Sequence, residues 1–479
     1  MRASRQLGRR LLLSCCILAF AAFAPASSRA ETLQQALSAA YKYNPRLDAE
    51  RARLRATDEE VARAMSGYRP VISGSAEVTH QHTYTRPPGT SSSSSPKGVG
   101  VSLVQPLFNG FQTTNAVGEA EASVRAGRET LRDIERAILL EAVTAYVDVV
   151  RDQAIVRLQE NNVNVLSREL KATQDRFAVG EVTRTDVAQA QARRAGALSQ
   201  LDLAKANLKT SRGAFERTTG HAPSNLVDPG VPERLLPKSQ GDAIGLATKE
   251  NALVVAALYR EQAARHTVDR IRGELLPEVR LEANYTHRWD TSANVDENES
   301  ASVTGRVNVP IYEGGETYAR VRQAKHTHVS RLQEIEQART EVQQQVVTSW
   351  SQLQAARAQL QSDLVQVESN RTALNGVREE ERVGQRTLLD VLNAEQELLN
   401  AEVQLVTTKR NLVVSAYAVL ASVGRLEVNN LGVASQVYDP EQHYLEVRRK
   451  WWGVSITHGD GRREHRDNWH LRDQPAPMK

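Results

Sequence analysis

The sequence predicts a mixed α and β membrane protein, in which one chain lends four strands to a shared barrel and long antiparallel helices to a helical tunnel. Three observations point there. The chain is a tandem duplication, each half carries a pair of amphipathic strands, and each half then runs 64 residues without a proline.

The duplication appears when the chain is compared with itself. An offset of 204 aligns Pro106 with Pro310, Gly110 with Gly314, Tyr146 with Trp350, Gly180 with Gly384, Asp186 with Asp390 and Gly220 with Gly424, without a gap. Upstream the offset is 207, matching Asn44 with Asn251 and Pro70 with Pro277. The three-residue difference falls in loops expected near residues 85–97 and 290–300. The first unit is read as residues 31–220 and the second as 242–424, with 221–241 a proline-rich linker, 425–440 a second connecting segment and 441–479 a tail that breaks the repeat.

Within each unit the strands show period two between turn signals. The second pair is expected at about 277–290 and 301–311. Val279, Leu281, Ala283, Tyr285 and Trp289 share one face, and Arg280, Glu282, Asn284, Thr286 and Arg288 the other. Its partner sets Val303, Val307 and Val309 against Thr304, Arg306 and Asn308. The first pair, at about 70–84 and 98–108, keeps the phase with Ile72, Ala76 and Val78, then Val99, Val101 and Leu103. An apolar face backed by a polar one suits a barrel wall with lipid outside and water inside; it also suits a soluble hairpin with one wet face. Ser91–Ser95 and the polar run Asn294–Ser300 suit exposed tips.

The long segments, Thr113–Arg176 and Thr317–Glu380, are rich in Ala, Gln, Glu, Arg, Leu and Val. At ~1.5 Å per residue each makes a helix of roughly 95 Å. Apolar residues recur at three- and four-residue steps: Leu131, Ile134, Ile138, Ala142, Ala145 and Val149, then Val156, Val163, Leu166 and Leu170. That spacing asks for helical partners. The helix from about Arg184 to Thr219 is too short to match, so the segment from Arg46 to Gly67 is expected to stack on its end. Four strands cannot close a barrel, and open edges are not tolerated in lipid. A closed ring of several copies is therefore required; three would give twelve strands and twelve helical columns.

The chain's first thirty residues read as an export signal: Arg2, Arg5, Arg9 and Arg10 precede an apolar run from Leu11 to Phe23, with Ser28-Arg29-Ala30 suited to cleavage. Removing them leaves 56 basic against 57 acidic residues, a net charge near −1. The high isoelectric point of the whole chain therefore does not point to nucleic acid. Both cysteines, Cys15 and Cys16, lie in this segment, and Leu12-Leu13-Ser14-Cys15 is a poor lipidation signal because apolar residues follow Cys15.

The helical turns are the most distinctive motifs. Val179-Gly180-Glu181-Val182-Thr183-Arg184-Thr185-Asp186-Val187 recurs as Val383-Gly384-Gln385-Arg386-Thr387-Leu388-Leu389-Asp390-Val391. The strand exits Gln105-Pro106-Leu107-Phe108-Asn109-Gly110 and Val309-Pro310-Ile311-Tyr312-Glu313-Gly314 are paired in the same way. With these motifs the chain closely resembles the TolC family of outer membrane factors over about residues 31–440.

The resemblance implies a homotrimer with a twelve-stranded barrel in outer membrane lipid and a twelve-helix periplasmic tunnel, circled by an equatorial belt formed by 221–241 and 425–440. It implies docking onto a periplasmic adaptor (membrane fusion) protein and an inner-membrane transporter, and a duct for type I secretion or efflux that performs no chemistry. The turns would form the periplasmic mouth. There Arg386 matches the family's gating arginine, Thr185 and Asp186 the partners that tether it, and Asp390 one of two aspartates that line the constriction. Three copies of Asp390 facing one axis would favour cations. Two positions depart from the pattern: the second ring position is Asn393, and Glu381 replaces a tyrosine of the gating network. Read without the family, Arg386 and Asp390 are an exposed pair at a helix start, where the dipole stabilises an aspartate.

No cofactor, metal site or catalytic motif is expected. His326 and His328 are two apart on a helix and diverge; His80 and His82 share a strand face near a rim where polar residues are ordinary. The tail, with Trp451-Trp452 and several arginines, is open among a disordered extension, a packing strap and a partner contact. The competing class is a periplasmic coiled-coil adaptor or structural rod, which explains the helices but not the strands. Within the duct class, the lack of a cysteine after the signal leans towards secretion, since many efflux relatives resemble lipoproteins.

Overall fold

The computed structural model describes residues 30–292, 295–433 and 437–458; the export signal lies outside them. The first unit opens with α1 (Leu33–Tyr43) and α2 (Pro45–Met65), followed by β1 (Val71–Val78), β2 (Gln81–Thr85), β3 (Thr90–Ser94) and β4 (Lys97–Asn109). The helices α3 (Gln112–Ala178) and α4 (Arg184–Thr219) complete it. The second unit repeats the plan with α5 (Gln240–Glu250), α6 (Ala252–Gly273), β5 (Glu278–Ser292), β6 (Val295–Asn308), α7 (Glu316–Arg382) and α8 (Leu388–Val423). Two short helices follow, α9 (Val428–Leu431) and α10 (Pro440–Arg448). Both long helices contain 67 residues and both descending helices 36, so the 204-residue offset holds in the backbone. A helix of 67 residues is about 100 Å long.

The expected end-to-end stacking is present in both units. Asn44 caps the start of α2 and its Nδ2 donates to the Thr218 carbonyl at 3.2 Å, at the end of α4. The equivalent Asn251 caps α6 and donates to Ser422 at the end of α8, at 2.8 Å. One amide thus terminates one helix and starts the next. The columns pack in the order α2 with α4, then α3, then α6 with α8, then α7. The apolar steps read from the sequence face this packing: Leu131, Ile138, Ala142, Ala145, Val149, Val156 and Leu166 are buried.

The main sheet has the order β1-β4-β5-β6, all antiparallel. Its register sets Ile72 opposite Leu103, Leu103 opposite Ala283 and Ala283 opposite Val303. The apolar residues of four strands therefore form one continuous face. That face is bare: Ile72 is 66% and Val303 73% exposed. The other face is polar, and Arg306 donates twice to Glu282 across the strands. The bare apolar face of the sheet is the surface suited to lipid; among the described residues no helix is long and apolar enough to cross a membrane.

Three boundaries differ from expectation. The strand expected over 70–84 breaks after Val78, because Pro96 on the facing side has no N–H to donate. Its carbonyl still accepts from Thr79 at 2.9 Å. Beyond the break, residues expected as loop pair as β2 and β3. In the second unit, residues 295–300 belong to β6 although all but Val295 carry polar side chains, because the backbone ladder continues to Ser292–Val295. Strand pairing is made by backbone groups, and side chains standing in water do not oppose it. Finally, β6 ends at Asn308 rather than 311, ahead of Pro310, whereas β4 carries Pro106 through a bulge between Pro106 and Phe108.

The segments 221–241 and 425–440 meet at the middle of α3. Leu226, Val231 and Leu236 from the first, and Leu426, Val428 and Tyr438 from the second, pack on a core with Leu37, Leu139, Tyr146 and Phe215. The Tyr146 hydroxyl donates to the Val227 carbonyl at 2.7 Å and accepts from its N–H at 3.0 Å. Burial pushes its pKa up to about 12. Such bonds contribute about 1 kcal/mol each, and more is lost when the partners are left buried without them.

The tail is a packing strap over its described part. His443 Nδ1 lies 3.0 Å from Asp58 Oδ2 on α2, and Arg448 pairs with Glu121 on α3 at 3.0 Å. Residues 459–479, with His465 and His470, lie outside the described residues.

Candidate functional site

The two helical turns have one design. The chain leaves the long helix through a glycine in the left-handed region, Gly180 at φ 83° and Gly384 at φ 78°. Three residues later a threonine caps the descending helix. Asp186 Oδ2 accepts from the Thr183 N–H at 2.9 Å and hydroxyl at 2.7 Å. Asp390 Oδ2 accepts from the same groups of Thr387 at 3.0 and 2.8 Å. These reciprocal caps satisfy orphan helix donors. Hydrogen bonds from Thr183 hold the Asp186 carboxyl below its ordinary pKa, and bonds from Thr387 do the same for Asp390.

The expected gating residues do not form one cluster within a protomer. Arg386 Nε donates to Glu380 Oε2 at 2.9 Å, six residues back on its own turn. Glu381 is taken by Arg176 from the end of α3, at 2.8 Å. Asp186 serves its own cap, and Thr185 is exposed. Asn393 is engaged as well: Arg193 on α4 donates to its Oδ1 at 2.7 Å. The two positions that depart from the family pattern, Glu381 and Asn393, are thus both acceptors for first-unit arginines.

A small apolar cluster of Leu166, Ala197 and Leu392, joined by Val163 and Leu388, also brings α3 and α4 against α8. Glu395 on α8, mostly buried, pairs with Arg378 on α7 at 2.8 Å. Glu169 on α3 stands beside this group, and burial, then the Glu395 charge, raise its pKa. Two polar links and an apolar patch therefore join the first helical pair to the second near their tips. Sequence reasoning missed Arg176 and Arg193 because neither lies in a turn motif. Their counterparts at the 204-residue offset are Glu380 and Glu397, so the repeat itself marks both positions with a reversed charge.

A stave with a lipid-suited sheet above and a helical wall below, ending in two charged turns, defines a channel protein of the barrel-and-tunnel kind. The model of the outer membrane efflux protein family matches residues 36–221 and 243–425, one segment for each unit. The chain belongs to that family. It is 38% identical over 453 residues to the outer membrane efflux protein BepC of Brucella suis biovar 1, covering 94% of this chain and 98% of that one. It is 25% identical over 419 residues to the outer membrane protein TolC of Escherichia coli (strain K12), covering 84% of each. Among solved structures, the outer-membrane channel OprN superposes with a TM-score of 0.72 at 20% identity, over 82% of this chain and 89% of that one. The protein is thus an outer membrane channel with a long periplasmic extension, an exit duct of the efflux and type I secretion class. The adaptor or rod reading is set aside by the four-stranded sheet and by the family.

Proposed function

We propose that three copies close into one passive duct that carries substrate from an inner-membrane transporter and its periplasmic adaptor to the exterior, with no chemistry of its own. The observation that supports ring closure is that both layers are open on the same two sides. The sheet ends on β1, which follows α2, and on β6, which leads into α7. The helical wall likewise ends on α2 with α4 and on α7. One copy's β6 and α7 then meet the next copy's β1 and α2, a head-to-tail contact that closes by rotation. Efflux is favoured as the task by the name and 38% identity of the Brucella protein. A secretion task is favoured by the alkaline protease secretion protein AprF of Pseudomonas aeruginosa, 28% identical over 317 residues. The test is fractionation: a heat-modifiable trimer is expected in outer membranes, and recovery as a periplasmic monomer would sink the reading.

At the mouth, Asp390 is assigned to the constriction and Arg386, with Thr185, Asp186 and Glu381, to its closure. With Asp186 and Glu381 engaged inside the protomer, the tether from Arg386 is assigned to the neighbouring copy. Because the folded-state pKa of Asp390 is depressed, its charge is present above the ordinary carboxylate range and is lost only as pH falls through that lowered value. Cation preference should therefore persist from neutral pH through the ordinary aspartate range, about pH 4, and fade only at lower pH than that. In planar bilayers Asp390→Ala should lose that preference and the block by trivalent cations; an unaltered reversal potential would place the constriction elsewhere.

A further inference from the structure

The strap carries something that neither the duct nor its mouth uses. From the last residue of α10 the chain runs Arg448-Arg449-Lys450-Trp451-Trp452-Gly453-Val454-Ser455-Ile456. Trp451, Trp452, Val454 and Ile456 are all exposed, Trp452 at 87%. The loop is built to hold them there. Gly453 turns the chain at φ 95°, Lys450 Nζ donates to the Ser455 carbonyl at 2.6 Å, and the Thr457 hydroxyl returns to Glu446 at 3.1 Å.

Its place in the fold is fixed by Arg69. The Arg69 guanidinium donates to the Lys450 carbonyl at 2.8 Å and lies 4.8 Å from the Trp451 ring centroid. Arg69 sits two residues before β1, and Ile72 of the lipid-suited face follows one residue into that strand. At ~3.3 Å per residue the loop is tied within about 10 Å of the first such side chain, a reach that takes in the headgroup layer of ~5–8 Å on that side. Exposed Tyr68, Phe111 and Tyr312 lie at the same strand and helix junctions.

We infer that the Trp451–Ile456 loop is an interfacial anchor that docks on the phospholipid of the outer membrane's inner leaflet. The rings sit at the headgroup boundary, where amphipathic aromatics are favoured. Arg449, exposed beside the loop, faces lipid phosphates, and the helix α10 acts as a bracket that transmits the hold to α2 and α3. The occupant is argued from position: Arg69 ties the loop to the junction between the sheet and the helices, level with exposed Tyr68, Phe111 and Tyr312. This rests on the barrel reading above.

The test uses full-length trimers in nanodiscs whose phospholipids carry bromine either near the headgroup or near the chain ends. A variant keeping only Trp451 and Trp452 (W289F, W350F, W469F) should show blue-shifted emission, quenched about twofold by the shallow bromines and less by the deep ones. Emission quenched by acrylamide but not by bromolipid would overturn the proposal, because the loop would stand in water. Blue-shifted emission quenched by neither would also overturn it, because a protein surface would cover the loop. A second variant keeping only Trp289 on β5 separates the two readings: if Trp289 is unquenched the barrel itself fails, and if Trp289 alone is quenched only the anchor fails. Trp451→Ser with Trp452→Ser should lower the trimer's thermal midpoint in nanodiscs and leave it unchanged in detergent.

Discussion

Gly110→Ala should prevent this chain from folding, while the same change at the equivalent Gly314 should leave the protomer intact and strike its assembly. Both glycines occupy the left-handed region, at φ 61° and 65°, where a side chain alone costs about 1–2 kcal/mol. The surroundings differ. A Cβ on Gly110 would overlap the carbonyl of Gly273 at the end of α6, backbone against backbone, whereas within 4 Å of a Cβ on Gly314 there is nothing. The first clash has no rotamer to relieve it and should cost about 3 kcal/mol or more in total. The position that corresponds to Gly273 at the 207-residue offset is Ser66, at the end of α2. In a closed ring the neighbour's Ser66 and Gly67 would come to Gly314 as Gly273 comes to Gly110. Gly110→Ala should therefore give no heat-modifiable trimer and no protease-resistant protomer. Gly314→Ala should give a resistant protomer with the trimer weakened. Equal behaviour of the two variants would mean that the subunit contact does not repeat the internal one.

Reversing Arg176 should loosen the mouth. The Arg176–Glu381 pair is one of two polar links holding the second helical pair to the first near the tips. At its partly exposed position a bridge contributes about 0.5–1 kcal/mol. Three copies acting together bias a closed mouth by roughly tenfold to a hundredfold in population. Arg176→Glu sets two carboxylates against each other, with Glu169 3.9 Å from the present guanidinium adding a third. Single-channel conductance in planar bilayers should rise severalfold. Arg176→Glu combined with Glu381→Arg should return it towards the original value. Failure of the double variant to recover, with trimers still formed, would mean that Arg176 acts through Glu169 rather than across the two pairs.

What the sequence revealed and what it concealed divide along physical lines. Strand phase, helix length and end-to-end stacking were readable because each depends on a periodicity or a cap that the duplication states twice. Asn44 and Asn251 are the clearest case. The hairpin tips were misjudged because backbone ladders ignore side-chain polarity once the strands stand in water, and because Pro96 interrupts a ladder from the opposite strand. At the helical turns, motif positions pointed to Asp186, Asp390 and Arg386 as candidates, but partners are chosen by reach across helices. Arg176 and Arg193 found Glu381 and Asn393 from outside any motif. The strap was unreadable because its partners, Asp58, Glu121 and Arg69, lie more than 300 residues away in the chain.

The gapless offset between the two units limits how this chain can change. From the strand exits to the ends of α4 and α8 each unit is of one length, so the two turns arrive level. Inserting a single residue in one long helix would rotate everything beyond it by about 100° and lower that turn by about 1.5 Å. The apolar seam would turn away from its partners and one side of the opening would hang below the other. Length variation is affordable only at the outward hairpin tips, where the two copies do differ by three residues. New specificity at the opening must accordingly arise by exchanging side chains, whereas the face shown to the outside is free to grow or shrink.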